Sequence, residues 1–582
     1  MTLVPAVPAD PSDARSSAAR AATLAKASAA TARGGATARG LRRAIALQIG
    51  GALLWLPQAG LLAMAVAGLT RGEGVGDVAL AAAAIAVLGI ARAMMEAAGG
   101  RLAFRSARAE LSRLRAQAAQ ALALRSPLDT RRPASGRVAS ALAEQAEAVV
   151  PYLSRFVPAR KRATVVPLVI LACVLPFSWL AALMLAVAAP LIPLFMALIG
   201  WQAKAASEAQ LVELGGMNAF LLDRLRGMAT IRSFGAVDAT ATRLRREADS
   251  LRARTMVVLR IAFLSSAVLE LFSALGVAMV AAYVGFHLLG WFGFGTWGHE
   301  FGLAQGLFIL LVAPAFFEPL RELSAAWHDR AAGQAALEAL ETLAEGGTSI
   351  VGSDAPPRFR SSRAPAVAFD AVGFRHAGQA APLFEAFALD IAPGEHVALF
   401  APSGAGKSSL LALIAGLVAP EAGRVSIDGE VMGPESAARL RAGMAYIGQQ
   451  PHIFAGTLKG NVALGRPEVD GGEIARALTA VRLEKVAAMR GPAPIGEGGR
   501  GLSGGEGLRL ALARLAATPQ AGLILADEPT AHLDAATARE VTDALMELAR
   551  GRTLVIATHD PALAARMDRV IPLEGATGEA GA

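Results

Sequence analysis

The residues best placed for chemistry lie toward the C-terminus. The run His396-Val-Ala-Leu-Phe-Ala-Pro-Ser-Gly-Ala-Gly-Lys-Ser-Ser-Leu410 reads as a strand, a glycine-containing turn and the start of a helix. That order aims backbone N–H groups and a helix N-terminus at a phosphate, which is the P-loop arrangement. Ser403, Gly404, Ala405, Gly406, Lys407, Ser408 and Ser409 are therefore the expected ATP contacts, with Lys407 adding positive charge at the β- and γ-phosphates. The Ser408 hydroxyl is placed for Mg²⁺. Ala401 stands where such loops usually carry their first glycine, a change the turn tolerates if φ stays negative there.

Downstream, Leu523-Ile-Leu-Ala-Asp-Glu-Pro529 reads as a buried strand ending in two carboxylates. Asp527 is expected to hold Mg²⁺ through water, and Glu528 to orient and deprotonate an attacking water. An apolar strand ending in Asp-Glu is common; paired with an upstream P-loop it is specific.

Between these motifs lies Leu502-Ser-Gly-Gly-Glu506, which resembles the signature of ATP-binding-cassette (ABC) proteins. The resemblance covers the whole cassette. Gln449 with Pro451 looks like the Q-loop, Ala531-His-Leu-Asp534 like the D-loop, His559 like the switch histidine, and Pro494–Gly498 like the X-loop of exporters. It implies a dimer that sandwiches two ATP molecules, each between one P-loop and the other subunit's signature, so Ser503, Gly504, Gly505 and Glu506 face the partner's ATP. Gln449 is expected at the Mg²⁺ or attacking water, and His559 at the γ-phosphate. His376 stands where the family usually stacks an aromatic residue on adenine. Glu497 and Asp534 are the expected coupling residues. Glu506 and Gly507 depart from the usual glutamine and basic residue, which hints at unequal ATP sites.

The elements that position this machinery can be read from composition. The chain has 582 residues, 54% of them hydrophobic, only 18% charged, with mean hydropathy +0.45, values that favour a membrane-embedded part. Apolar stretches of bilayer length predict six spans near 45–69, 78–95, 157–177, 180–200, 261–289 and 302–317. Short links alternate with two long loops, and the loops carry the arginines, from Arg101 to Arg137 and from Arg224 to Arg254. By the positive-inside rule these loops, the N-terminus and the cassette are cytoplasmic. The net charge of +8 is thus topological, and nucleic acid is not an expected partner. Apolar periodicity over Leu102–Leu124 and Leu211–Leu225 predicts that membrane helices project into the cytoplasm.

The expected organisation is a basic, disordered tail over 1–40, a six-helix, all-α transmembrane domain of ABC exporter type over 41–344, a linker over 345–365, and an α/β P-loop nucleotide-binding domain over 366–582. Coupling contacts are expected at Leu128–Ala141 and Asp223–Gly235. Cys173, the single cysteine, excludes an intramolecular disulfide and reads as a small packed hydrophobe.

Fused spans with one cassette resemble an exporter half-transporter. Ala189–Gly200, Phe220–Met228, Leu259–Ser266 and Phe317–Arg321 further resemble the D-type subunits of the cytochrome bd assembly exporter. That likeness implies a bacterial inner-membrane heterodimer with a C-type companion, exporting cysteine or glutathione or, in a competing view, haem. A homodimeric lipid or drug exporter, and a membrane-anchored ATPase that gates a partner without moving solute, are the alternative readings. Glu96, Arg260, Glu270, Glu318 and Arg321 are the charges near the spans, with Arg260 and Glu270 the candidates for a substrate path. His287, His299 and His328 are the conceivable haem ligands.

Overall fold

The fold was analysed in a computed structural model that describes residues 35–573 apart from 73–74, 134, 191–219, 222, 226, 299, 346, 353–362, 497–498 and 500. The chain divides into two compact units. One takes the chain up to Ala118 and then Ser135–Leu343; the other takes Ala119–Ala134 and the chain from Ala344 onward. Most of the expected tail, half of the expected fourth span, Glu497 and His299 lie outside the described residues.

The membrane unit is helical because a chain in hydrocarbon has to satisfy its backbone hydrogen bonds within each segment. Four helices are long and apolar enough to cross a bilayer: Thr37–Thr70, Val78–Ala123, Glu270–Leu288 and Leu303–Ala325. The expected third span forms the helix Val157–Val174, but Arg160, Lys161 and Arg162 near its start make it too polar to count by composition alone. The expected fourth is described only as the apolar helix Trp179–Pro190. Two helices outrun the membrane. Val75–Ala123 has 49 residues and Val237–Leu288 has 52, each about 75 Å at 1.5 Å per residue against a hydrocarbon core of about 30 Å. The first of the two long loops is thus a helical continuation of the span before it, as its periodicity predicts.

Two boundaries differ from expectation. The first helix begins at Gly35, so the tail is shorter than 40 residues, and that helix is interrupted between Leu53 and Trp55. The bundle is held by apolar contact. Ile309, Val312, Ala313 and Phe317 of the last span pack with Ile170, Leu185 and Val280. A Cβ on Gly276 would lie 2.5 Å from Phe317 Cζ, so the absent side chain is what lets these two helices approach.

In the cassette unit, strands β1 (Val367–Phe374), β2 (Phe384–Ile391), β4 (Ala422–Ile427) and β5 (Glu430–Val431) form an antiparallel sheet. A parallel sheet runs β6-β7-β8-β3-β9, from β3 (His396–Phe400), β6 (Met444–Ile447), β7 (Leu523–Asp527), β8 (Thr553–Thr558) and β9 (Arg569–Pro572). Buried on both faces, β7 and β8 are continuous apolar runs rather than alternating ones. Part of the expected linker is ordered against this unit. Ser126 N donates to Thr348 O and Ile350 N to Leu124 O, both at 2.8 Å, while Leu128 packs on the core beneath the P-loop. Of the expected contact Leu128–Ala141, only the part to Ala134 falls in the cassette unit; Ser135–Ala143 is a helix of the membrane unit.

Replacing Gly276 with leucine should overpack the last two spans and cost about 1–3 kcal/mol, read as a lower melting temperature in detergent. Gly285, whose added Cβ would meet nothing within 4 Å, should tolerate alanine at the cost of helix propensity changes alone.

Candidate nucleotide site

Parallel strands deliver the site. Phe400 pairs with Thr558, Asp527 with Ala557, and Ile447 with Ala526, so β3, β8, β7 and β6 end at one edge of the sheet. Each of these strands runs into functional residues: β3 into the P-loop, β8 into His559, β7 into Glu528, and β6 through Gly448 into Gln449. Ligands of open parallel sheets bind outside these carboxyl ends.

Gly404 and Gly406 take φ of +90° and +93°, in the region that disfavours a side chain. Gly406 also has no room for one, since a Cβ would sit 2.6 Å from Phe384 Cζ. Ala401 is buried and is not among the residues with positive φ, so the alanine meets the condition the turn sets. Gly406 precedes the helix Lys407–Ile414, which presents its free N–H groups to the loop. Lys407 is 4% exposed; its Nζ donates to Ala401 O at 2.7 Å and Pro402 O at 3.0 Å, and lies 3.5 Å from Glu528 Oε1.

The two carboxylates have different environments. Burial pushes the Asp527 carboxyl above its usual range; the Ser408 hydroxyl donates to it and pulls the other way, neighbouring Glu528 pushes it further up, and Lys407 pulls it down. Glu528 is the meeting point. Gln449 Nε2 donates to its Oε2 at 3.0 Å and His559 Nδ1 lies 3.2 Å from its Oε1, with the tautomer set by that contact. Glu528 also takes φ of +47°, rare for a residue with a side chain, and its N–H donates to Ala557 O at 2.8 Å.

His376 Nε2 lies 3.1 Å from Ser409 Oγ and packs edge-on against Phe374. This fixes the ring beside the P-loop helix.

Ser503 caps the helix Gly504–Ala516. Glu506 N donates to Ser503 Oγ at 3.3 Å, while Ser503 N donates to Glu506 Oε2 at 2.7 Å. This is a reciprocal capping box, which glutamate closes as well as glutamine does, so the departure at Glu506 leaves the local fold intact. A Cβ on Gly505 would be 2.5 Å from Thr537 Cγ2. Thr537 in turn donates to Asp534, whose carboxylate caps the helix Ala535–Ala549; the Thr537 hydroxyl first, then the backbone N–H groups, hold that carboxyl below its usual range. Asp534 and the signature are therefore in register through one threonine.

The charges of the membrane unit form pairs. Arg321 bridges Glu318 and Glu270, and Glu96 pairs with Arg92. Arg260 is exposed on the same helix as Glu270. Two arginines are hard to see in the sequence. Arg92, over the Trp55 ring, has as its only signal a lone charge inside an apolar stretch, and Arg162, paired with Glu322, is one of three consecutive cations. His287 is buried, with its ring stacked on Phe301 at 4.1 Å, and Cys173 is half-buried. Among the described residues there is no group of three or more His, Cys, Asp or Glu arranged to hold a metal.

Comparison with known proteins agrees with this geometry. Residues 43–310 match the model of the ABC transporter transmembrane region, and residues 384–531 that of the ABC transporter family. The transport ATP-binding protein AarD of Providencia stuartii is 35% identical over 81% of this chain and 80% of its own length. The glutathione/L-cysteine transport system ATP-binding/permease protein CydD of Haemophilus influenzae is 35% identical over 80% of this chain and 79% of its own. A solved bacterial Atm1-family ABC exporter with ATP bound superposes with a TM-score of 0.69 over 92% of this chain and 94% of that one, at 22% identity, which supports the fold. The chain belongs to the ABC exporter family: a multi-pass membrane protein with a fused ATP-binding cassette, an ATPase coupled to transport.

Proposed function

We propose that this chain is the D-type half of a heterodimeric exporter of small aminothiols, cysteine or glutathione, across the bacterial inner membrane, supplying reductant for cytochrome bd assembly. The observation that carries the catalytic half of this reading is the convergence of Lys407, Gln449 and His559 on Glu528 from three different strand ends. The aminothiol cargo rests on relatives named for glutathione/L-cysteine transport. With one P-loop and one signature in the chain, a complete ATP sandwich needs a second cassette. The arginine-rich loops favour a cytoplasmic cassette.

Mg²⁺ fits the donor set. Ser408 hydroxyl and Asp527 carboxylate already meet, and Mg²⁺ in such sites takes one or two protein groups and completes its shell with phosphate oxygens and water. When bound, it neutralises charge on the β- and γ-phosphates. Lys407 exchanges two backbone carbonyls for phosphate oxygens. Glu528 accepts a proton from the attacking water, with Gln449 and His559 fixing the carboxylate's direction.

Glu528→Gln should leave ATP binding intact and lower hydrolysis at this chain's site by about 100-fold or more. Single-turnover hydrolysis in a complex whose companion site is also disabled checks this; unchanged turnover overturns the assignment. Asp527→Asn should abolish Mg²⁺-dependent hydrolysis yet raise the melting temperature without nucleotide, because it removes a charge that burial disfavours. The functional reading itself is tested by ATPase activity of the chain alone and with its companion, titrated with cysteine, glutathione and haem. Stimulation by the thiols only in the pair is expected; full activity alone and indifference to all three would point to a homodimeric lipid or drug exporter.

A further inference from the structure

The membrane unit places ion pairs at a depth where charge is costly. Arg92 pairs with Glu96 at 3.1 Å, Arg162 with Glu322 at 3.0 Å, and Arg321 with Glu318 at 2.5 Å and Glu270 at 3.4 Å. Glu318 lies about 22 Å along its helix from Leu303, short of the roughly 30 Å that spans the hydrocarbon. These pairs come from four different helices. Glu96 and Glu318 are near enough to Glu322 to repel it, so the pairs form one electrostatic neighbourhood.

Its charge does not balance. Each of Arg92 and Arg162 has one carboxylate, whereas Arg321 serves two, and it serves them unequally. Glu318 takes the close contact; Glu270 is held at 3.4 Å through both oxygens with its side chain 66% exposed. A carboxylate so uncovered at this level does not face lipid. It faces a water-filled cavity or another charged group.

We propose that Glu270, with Glu318 and Arg321, recognises the ammonium group of a zwitterionic cargo. The long Glu270–Arg321 contact opens to admit it: the cargo ammonium takes Glu270, the cargo carboxylate takes Arg321, and Glu318 keeps the guanidinium in place. The surplus negative charge selects for an ammonium, and the guanidinium beside it favours an amino acid or peptide over a simple amine. The inference deepens the aminothiol reading and rests on it for the cargo's class. Glu270 is a specificity residue here, and Arg260 has no part in the site.

The test uses the full chain with its companion subunit in proteoliposomes, reading ATPase stimulation by cysteine, serine, N-acetylcysteine and 3-mercaptopropionate. The wild type should respond to cysteine far better than to N-acetylcysteine. Glu270→Gln should raise the half-maximal cysteine concentration about tenfold and leave N-acetylcysteine unchanged. The ratio of the two within one preparation does not depend on how much protein folds. Glu270→Asp, which keeps the charge, should restore most of the preference. A ratio in Glu270→Gln equal to that of the wild type overturns the site, and would assign Glu270 to a cation of the companion subunit. Serine matching cysteine, with the ratio still collapsed in Glu270→Gln, upholds the ammonium site and removes the thiol from the functional reading. Equal responses to 3-mercaptopropionate and cysteine in both proteins uphold the thiol and overturn the ammonium site. No response to any compound overturns both.

Discussion

Everything catalytic in this protein depends on the alignment of four parallel strands at their carboxyl ends. The Glu528 carboxylate receives contacts from a lysine, a glutamine and a histidine that lie far apart in the chain. None of these side chains reaches it by local geometry. They meet because β8 lies between β3 and β7, with β6 on the other side of β7, and because the ladder pairs hold the strands in register. A slip by one residue in any of these strands would turn its side chains to the opposite face and dissolve the cluster.

This arrangement costs the site stability, and its neighbourhood offsets part of the loss. Asp527 is ionised against the cost of burial, and Glu528 adopts a backbone conformation that side chains disfavour. Around them are well-satisfied caps. Ser503 with Glu506 and Asp534 with Thr537 close the N-termini of the two helices that bear on the signature. The energetic tension sits at the strand ends, where ATP is to be met, and the flanking helices carry little of it.

How much of this was legible in the sequence depends on how local each feature is. The P-loop run could be read because its glycines, lysine and serine act within a few residues of one another, and the positive φ at Gly404 and Gly406 answers the same local need. The fit of Ala401 and Glu506 was less legible. Each departs from a family habit, yet each satisfies the physical condition behind it: a negative φ and a reciprocal cap. The convergence on Glu528 required strand order, which no short window contains. In the membrane half, span positions follow from hydropathy, but Arg92 vanishes into the average of its apolar stretch. Its pairing with Glu96 depends on one helical turn, and its place over Trp55 on how another helix is rotated. The break between Leu53 and Trp55 has no composition signal of its own beyond the nearby Pro57.

The helix Val237–Leu288 continues without a break for 52 residues. A rod of that length, about 75 Å, converts rotation into displacement: tilting it by roughly 5° about one end moves the other by about 7 Å. Glu270 sits about two-thirds of the way along it, so the same tilt shifts that carboxylate by about 5 Å, more than the length of an ion pair. A stiff lever of this kind would need no local rearrangement in the membrane to make or break a charge contact there.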